Sequence, residues 1–418
     1  MGETPGDRAG EAGTRLEGPL RFAFWDVCED IVRENLARFT AETGIPVDGI
    51  CVRGDYEAEV GARRHDEDGP DVFHAQRAEA SLWADENKIQ PLDEADPIVA
   101  ELILGMDAPL VEGARDPAGR LLGATYYNGG PLALFLRPGR DAAFETWDEV
   151  VDACRKAKRD GEAEHPFVPR WHATQTGLVW SLLALLASDG VLTLEDPRAE
   201  SALAGALGFL SALVEDELVP PASLSDRGDR AALERWATGR HLMTFTVDYL
   251  AKDAAEIAGR PVSLPAARLP GLAGTPLMPG HALVCLRAGL GGPRRAAALR
   301  LAAFLGGPGV HRRWLEERLF AVPRARLLGD AQVRTAIGNA FAAPDRAASV
   351  ERLAASRAAA VASPISHRPF MLAWTGEADR LIRGPLLGER RIAPAHAAAR
   401  LLEIWNRLEA DHRASRSG

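Results

Sequence analysis

The sequence has no run approaching the roughly 18 apolar residues of a membrane-crossing helix. Its longest apolar stretch, LVWSLLALLA at residues 178–187, is the length of a core helix. Basic charge is not in excess either. Lys and Arg number 49 against 59 Asp and Glu, a net charge of −10 with the signs interspersed. No basic stripe is present to attract a phosphate backbone, so nucleic acid is excluded as a partner. Cysteine is scarce: Cys28, Cys51, Cys154 and Cys285 stand far apart with no C-x-x-C pair. Two disulfides are possible on paper, but buried free thiols are the expectation, and no metal-ligand spacing exists. There is no G-x-S-x-G elbow, no Walker loop, no G-x-G-x-x-G after the first strand and no H-E-x-x-H. The common signatures of acyl transfer, phosphate binding and zinc hydrolysis are therefore missing, and no catalytic residue, cofactor or metal is expected. The opening MGETPGDRAGEAGTRLEGPL carries no apolar core of a leader and no lipobox cysteine. As written the chain is expected in the cytoplasm, or outside it if a leader has been removed. Residues 1–19, rich in Gly, Glu and Arg, read as a disordered arm.

What is present is enough apolar residue, 46% of 418, to bury a large core, and a length that favours two domains over one. LRFAFWDV at 20–27 alternates like a strand. DIVRENLARFTAETG places Val32, Leu36 and Phe39 at helical spacing with Gly44 as stop, and IPVDGICV is a second strand. Strand, helix and strand in some thirty residues imply a parallel sheet with a right-handed crossover. GPDVFHA at 69–75 is a further short strand, and two strand-like runs flank the Gly-Gly-Pro turn within 121–137. Thr146-x-x-Glu149 is a capping box that starts a helix. The middle, from 174 to about 260, is mostly helical, HLMTFTVDY and HALVCLRAG return to strand character, and the last hundred residues are Ala- and Arg-rich helix. No linker separates the halves, which suggests two lobes joined by more than one chain crossing with a ligand cleft between them.

Candidate functional residues are mostly aromatic. The carboxylates Asp66, Asp68 and Asp71 fall short of a calcium-loop spacing and read as a solvated acidic loop. His172, with Gln175 nearby, and His281 could serve acid–base chemistry or simply pack and hydrogen-bond. Trp25 ends the first strand, Tyr56 follows the second, Tyr126 and Tyr127 precede Asn128, Trp171 opens a helical stretch and Tyr249 follows an apolar run. Such strand-to-loop junctions are where open α/β sheets place ligands. For Trp25, Tyr56 and Tyr126 core packing and binding fit equally well; Trp180, on an apolar helix, is expected in the core. A flat aromatic face beside polar groups suits a polyhydroxylated ring. Because neighbouring strand residues point to opposite faces, only one of Tyr126 and Tyr127 is expected to meet a cleft.

The order of these segments resembles the extracellular solute-binding proteins, family 1, of ABC importers. The matching stretches are LRFAFWDV with LARFTAETGIPV, GPDVFHA, NKIQPLDE, YYNGGPLALFLRPG through FETWDEVVDACRKAKRDG to PFVPRW, ERWATGRHLMTF, LPGLAGTPLMPGHALVCL and AAFLGGPGVHRRWLEERLFAVPRA, in order from about 20 to 410. The resemblance implies a two-lobed α/β periplasmic-binding-protein-like (type II) fold that closes about a hinge on a small, carbohydrate-like solute. It implies a monomer that works with membrane permease subunits and binds ligand through Trp25, Tyr56, Tyr126, Tyr127, Trp171, His172, Tyr249, Gly280 and His281. The expected division is residues 20–135 for the first lobe, 136–275 for the second, 276–330 returning to the first, and 331–418 as helices packing across both. The departures are the missing leader and the Ala- and Arg-rich stretch between 320 and 370. They motivate an alternative: a cytosolic homologue repurposed as an enzyme or intermediate carrier, using His172, His281 and Asp248.

Overall fold

Leu20, Phe22 and Phe24 alternate along the first strand and are all fully buried, the period-2 pattern of a sheet face against a core. In the computed structural model, residues 16–417 are described except 54–55, 64–68, 141, 174–176, 262–263, 267, 342–345, 364, 366–367 and 389–390. The described strands are β1 (Leu20–Trp25), β2 (Val47–Val52), β3 (Val72–Gln76), β4 (Ile89–Gln90), β5 (Ala124–Tyr127), β6 (Leu132–Leu136), β7 (Phe167–Pro169), β8 (Met243–Val247), β9 (Leu264–Pro265), β10 (Leu277–Met278), β11 (Ala282–Arg287) and β12 (Val361–Ala362). They form a first sheet in the order β2-β1-β3-β11-β4 with β5 also on β11, a second in the order β7-β8-β6-β9, and the small pair β10-β12.

β1 pairs with β2 and β3 in parallel, as the strand-helix-strand opening requires, the helix Glu29–Thr43 making the crossover. That helix buries Val32, Leu36 and Phe39 and stops where Gly44, at φ 72°, donates its N–H to Thr40 O at 2.8 Å. The sheet is nevertheless mixed, because β11 arrives some two hundred residues later and runs antiparallel to β3, Cys285 opposite Phe73. The second sheet joins β6 antiparallel and β7 parallel to β8. β6 lies wholly in this sheet, so the chain passes between the sheets at 128–131 rather than at the expected 135. Helix Gly292–Leu305 packs on β11, β5 and β1, whereas Arg346–Ala359 packs toward β9. The C-terminal helix Pro394–Ser417 lies along Ala199–Glu215, and helix Met371–Leu381 touches both Arg77–Asp85 and Gly177–Ser188.

Several local expectations are refined. The Thr146 hydroxyl accepts the Glu149 N–H at 3.3 Å, but the Glu149 carboxylate accepts from Glu145, one residue ahead of the cap, at 2.7 Å. Asp71 is not solvated: it is fully buried, takes the Arg21 N–H at 2.9 Å, and pairs with Arg287 at 3.2 Å and Arg294 at 2.5 Å. Arg294 also donates to the carbonyls of Glu17 and Pro19, which holds the end of the stretch expected to be a disordered arm. Residues 1–15, Asp66, Asp68 and Gln175 lie outside the described residues. All four cysteines are free thiols. Among the described residues no helix is long and apolar enough to cross a membrane, and no group of three His, Cys, Asp or Glu could hold a metal.

Gly130 shows how closely the passage between the sheets is packed. It sits at φ 85°, and a Cβ there would stand 2.1 Å from Asp248 Oδ1, an atom that is buried and cannot move aside. Gly130→Ala is expected to lower stability by about 2–4 kcal/mol, combining left-handed strain with the clash. A urea midpoint equal to that of the wild type would show that the passage is looser than this.

Candidate functional site

Where the chain passes between the sheets, three of its segments are laced together. The Asn128 N–H donates to Ala321 O at 2.6 Å, and Asn128 Oδ1 accepts from His281 Nδ1 at 2.8 Å, both side chains being at most 1% exposed. On its other edge the His281 ring lies where a Cβ on Gly113 would meet Cε1 at 2.9 Å. Asp248, just past β8, donates its N–H to Pro131 O and receives two bonds from Arg357, at 2.6 and 3.1 Å. Arg357 also donates to the carbonyl of Leu319, whose φ of 60° ends the helix Pro308–Arg318. His281 and Asp248 are thus parts of a buried brace across the crossing.

Beside this brace runs an aromatic strip. Tyr127, at the end of β5, stacks on Phe320 with centroids 4.6 Å apart and planes 25° apart; Phe320 meets the edge of Tyr249 at 4.5 Å and 90°. Phe320 is buried, and Tyr127 and Tyr249 are half-buried on either side of it. The strip therefore runs from the end of a first-sheet strand to the end of a second-sheet strand. Trp25, half-buried at the end of β1, packs on Tyr56 at 5.3 Å and His74 at 5.0 Å.

Charged groups from both sides meet near the strip. Burial pushes the Cys28 thiol up to about 11; Arg318 opposes this while Asp253, Asp30 and Glu256 add to it. Burial and Glu256 likewise raise the Asp253 carboxyl to about 6. Cys28 follows β1 and Asp253 lies on helix Leu250–Ala258 behind β8, so the two lobes face each other here. Arg318 reaches Asp30 at 3.4 Å. Deeper in the second lobe, Asp229 takes Arg170 at 2.6 and 3.2 Å and His172 Nε2 at 3.1 Å. Burial alone would raise the Asp229 carboxyl, but Arg170 and His172 hold it well below the usual carboxylate range. Arg170, Asp229 and Asp253 are all near enough to act on the Tyr249 phenol, which burial pushes up.

The nine residues anticipated from sequence divide on this geometry. Trp25, Tyr127 and Tyr249 keep partly open faces, and Gly280 is half-buried with nothing within 4 Å of a would-be Cβ. Tyr56 is 6% exposed, its hydroxyl 2.9 Å from His74 O and 3.0 Å from Ala23 O, and able to donate to only one at a time. Tyr126 is fully buried and accepts from Asn35 Nδ2 at 3.2 Å. Trp171 is 1% exposed and its carbonyl accepts from Arg383 at 2.9 Å. His172 is fixed on Asp229 and His281 on Asn128. These five are buried, while Trp25, Tyr127, Tyr249 and Gly280 are half-buried. Sequence reasoning missed Phe320, Arg318 and Asp253. Phe320 carried a usable signal, an aromatic directly after a helix stop; the two charges carried none.

The tyrosine pair gives a direct check. Tyr126→Phe orphans the buried Asn35 amide and is expected to cost about 1–3 kcal/mol of stability with ligand affinity unchanged. Tyr127→Phe removes no hydrogen bond made among the described residues and keeps the ring, so both properties should stay at the wild-type level. Affinity loss in Tyr126→Phe without loss of stability would reverse the assignment of the two rings.

The comparisons agree with this architecture. The family described as bacterial extracellular solute-binding protein matches residues 29–278. Among solved structures, maltose-bound MalE3 of T. maritima is 19% identical, over 94% of this chain and 99% of that one, at a TM-score of 0.73. The GacH receptor of Streptomyces glaucescens, solved unliganded and with acarbose, is 17% identical over 94% and 99%, at 0.72. The maltotriose-bound maltose/maltodextrin-binding domain MalE of Bdellovibrio bacteriovorus is 17% identical over 94% and 100%, at 0.69. No curated protein matches the sequence.

Proposed function

This chain belongs to the bacterial extracellular solute-binding proteins, and on that premise we propose that its solute is a neutral, carbohydrate-like molecule held against the half-buried Tyr127, Tyr249 and Trp25 between the lobes, with the buried Phe320 as the ring that joins the two tyrosines. The protein performs no bond chemistry in this reading; it captures the solute and hands it to the permease subunits of an importer. The observation that carries it is the aromatic strip joining the ends of β5 and β8. A sugar ring stacks its C–H face on such rings while its hydroxyls meet nearby charged and polar groups, here Asp253 and Arg318. Because the strip draws on both lobes, a ligand on it touches both only when they are close together, which favours closure. The solved relatives are in accord: MalE3 is bound to maltose and GacH to acarbose. His172, His281 and Asp248, the groups an acid–base reaction would use, are each buried against a partner, which supports binding over catalysis.

A thermal-melt panel of mono-, di- and trisaccharides and polyols tests the assignment. Ligand at a hundred times its Kd stabilises the folded form by about 2.7 kcal/mol, a readily seen rise in Tm. A melt that stays flat across the whole panel would overturn the carbohydrate assignment.

A further inference from the structure

Helix Pro308–Arg318 is fastened to the first lobe. It packs on β5, its His311 ring meets Thr125 O at 2.9 Å, and Arg313 and Arg318 reach Glu34 and Asp30 on helix Glu29–Thr43. Helix Leu250–Ala258 is fastened to the second, packed on β8 and on helix Asp229–Ala237. Lys252 joins the two. Its Nζ donates to Glu316 O at 3.1 Å and to Glu317 O at 2.6 Å, carbonyls of the last turn of the first-lobe helix. The left-handed stop at Leu319 turns its own N–H to Leu315 O and that of Phe320 to Trp314 O, so these two carbonyls are left to a donor from outside the helix. An ammonium group suits them, because it has three donors and its charge meets the negative end of the helix dipole.

The seam is complementary beyond this one contact. The Lys252 helix also carries Asp253 and Glu256, both near enough to act on Arg318, which also reaches Asp30. Lys252 itself feels Glu256, Glu317 and Asp253 as favourable charges and Arg318 as an opposing one. Tyr249 stands three residues before Lys252, so one side of the helix presents both the ring that meets Phe320 and the ammonium that caps the helix ending just ahead of Phe320. The ties across this seam differ in kind. Asp248, Arg357 and Leu319 are all buried, whereas Lys252 is half-buried, and water can take over its bonds at little cost.

We propose that Lys252 is a latch: it holds the lobes together through bonds that involve no solute, and the lobes part by breaking those bonds while turning about the buried Asp248–Arg357 pair. The form with both ends of the aromatic strip close together is thus populated before capture, and apparent affinity rises with that population. This consequence rests on the strip as the binding surface; the latch itself does not.

Small-angle X-ray scattering of the full chain, with no solute added, tests the latch in three proteins. Lys252→Met keeps the aliphatic stem and loses the donors, while Lys252→Arg keeps donors within reach of the same carbonyls. The wild type and Lys252→Arg are expected to scatter as the closed structure does. Lys252→Met should shift the ratio of closed to open forms about tenfold toward open, read as a larger radius of gyration and a curve fitted by a mixture of the two. Superimposable curves for the wild type and Lys252→Met overturn the proposal. So does a Lys252→Arg protein as extended as Lys252→Met, because the donors would then not be what holds the lobes. Lys252→Met losing its cooperative thermal melt overturns it too, since the lysine would then support the core rather than act as a separable latch. A saccharide panel without effect leaves this result standing, and identical scattering curves leave the carbohydrate assignment standing.

Discussion

Arg357→Met is expected to lower the unfolding free energy by about 3–5 kcal/mol, the range for removing one member of a buried ion pair. Asp248 is fully buried, and burial pushes its carboxyl above the ordinary range even with Arg357 beside it. Removing the guanidinium leaves that carboxylate uncompensated, and it also leaves the Leu319 carbonyl without its donor. Adding Asp248→Asn to Arg357→Met removes the stranded charge, and the double variant should recover a large part of the loss. Urea unfolding of the wild type, both singles and the double measures this coupling. The same substitution bears on function, because Asp248 and Arg357 join the end of β8 to the segment that carries Phe320. A single variant within 1 kcal/mol of the wild type, with no coupling in the cycle, would show that the brace does not hold the crossing.

The second large effect is a loss of stability on mild acidification. Burial drives His74 and His311 down to about 3. Their folded-state values lie below the ordinary histidine value of about 6.5, so below that pH the unfolded chain takes up protons that the folded chain refuses. Stability is therefore present above about pH 6.5 and is lost as the pH falls toward 3, by up to about 1.4 kcal/mol per pH unit for each histidine. The two are neutral for different reasons. His311 Nε2 donates to Thr125 O at 2.9 Å, and its Nδ1 accepts from Arg324 at 3.2 Å, a bond that protonation would break. His74 sits among Phe22, Trp25 and Tyr126, and neither ring nitrogen is hydrogen-bonded among the described residues. Asp253 and Asp248, raised by burial, act in the opposite sense on the acid side. The diagnostic is accordingly the difference between His74→Phe and the wild type. At pH 7 the variant should match or exceed the wild type, and its advantage should grow by about 1.4 kcal/mol per unit as the pH falls below 6.5. Parallel stability curves from pH 7.5 to 4.5 would contradict a buried neutral His74.

Local patterning carried much of this architecture. The alternation of Phe22 and Phe24, the spacing of Val32, Leu36 and Phe39, and the stop at Gly44 each express a rule confined to one turn or one pleat. The Tyr126 and Tyr127 pair departs from it: one ring is fully buried and the other partly open, yet the rings stand 5.5 Å apart and both pack on Trp314 rather than on opposite faces. What could not be read locally depends on partners far along the chain. β11 enters the first sheet antiparallel after some two hundred intervening residues, and nothing in HALVCLRAG states its direction. Asp71 looked solvated among acidic neighbours, yet Arg287 and Arg294 neutralise it from more than two hundred residues away. His281 was a ligand candidate through the resemblance and by its own context a packing or hydrogen-bonding residue, and its ring meets Asn128 Oδ1 at 2.8 Å at the crossing. An aromatic side chain at a strand end can face inward or outward, and only the opposing lobe decides which. That is why Tyr56 and Trp171 proved to be buried while Phe320 went unnoticed.

The most direct test of the account is a calorimetric titration of Tyr249→Ala with the best saccharide from the thermal panel, set beside the wild type. Tyr249 closes the second-lobe end of the strip through its contact with Phe320, and because the ring also packs against the core its removal costs some stability as well. The account predicts binding weaker by about 10- to 100-fold, or about 1.4–2.8 kcal/mol, measured at a temperature where the unliganded variant is still folded. Affinity equal to the wild type would contradict it, because the solute would then rest on something other than the aromatic strip between the lobes.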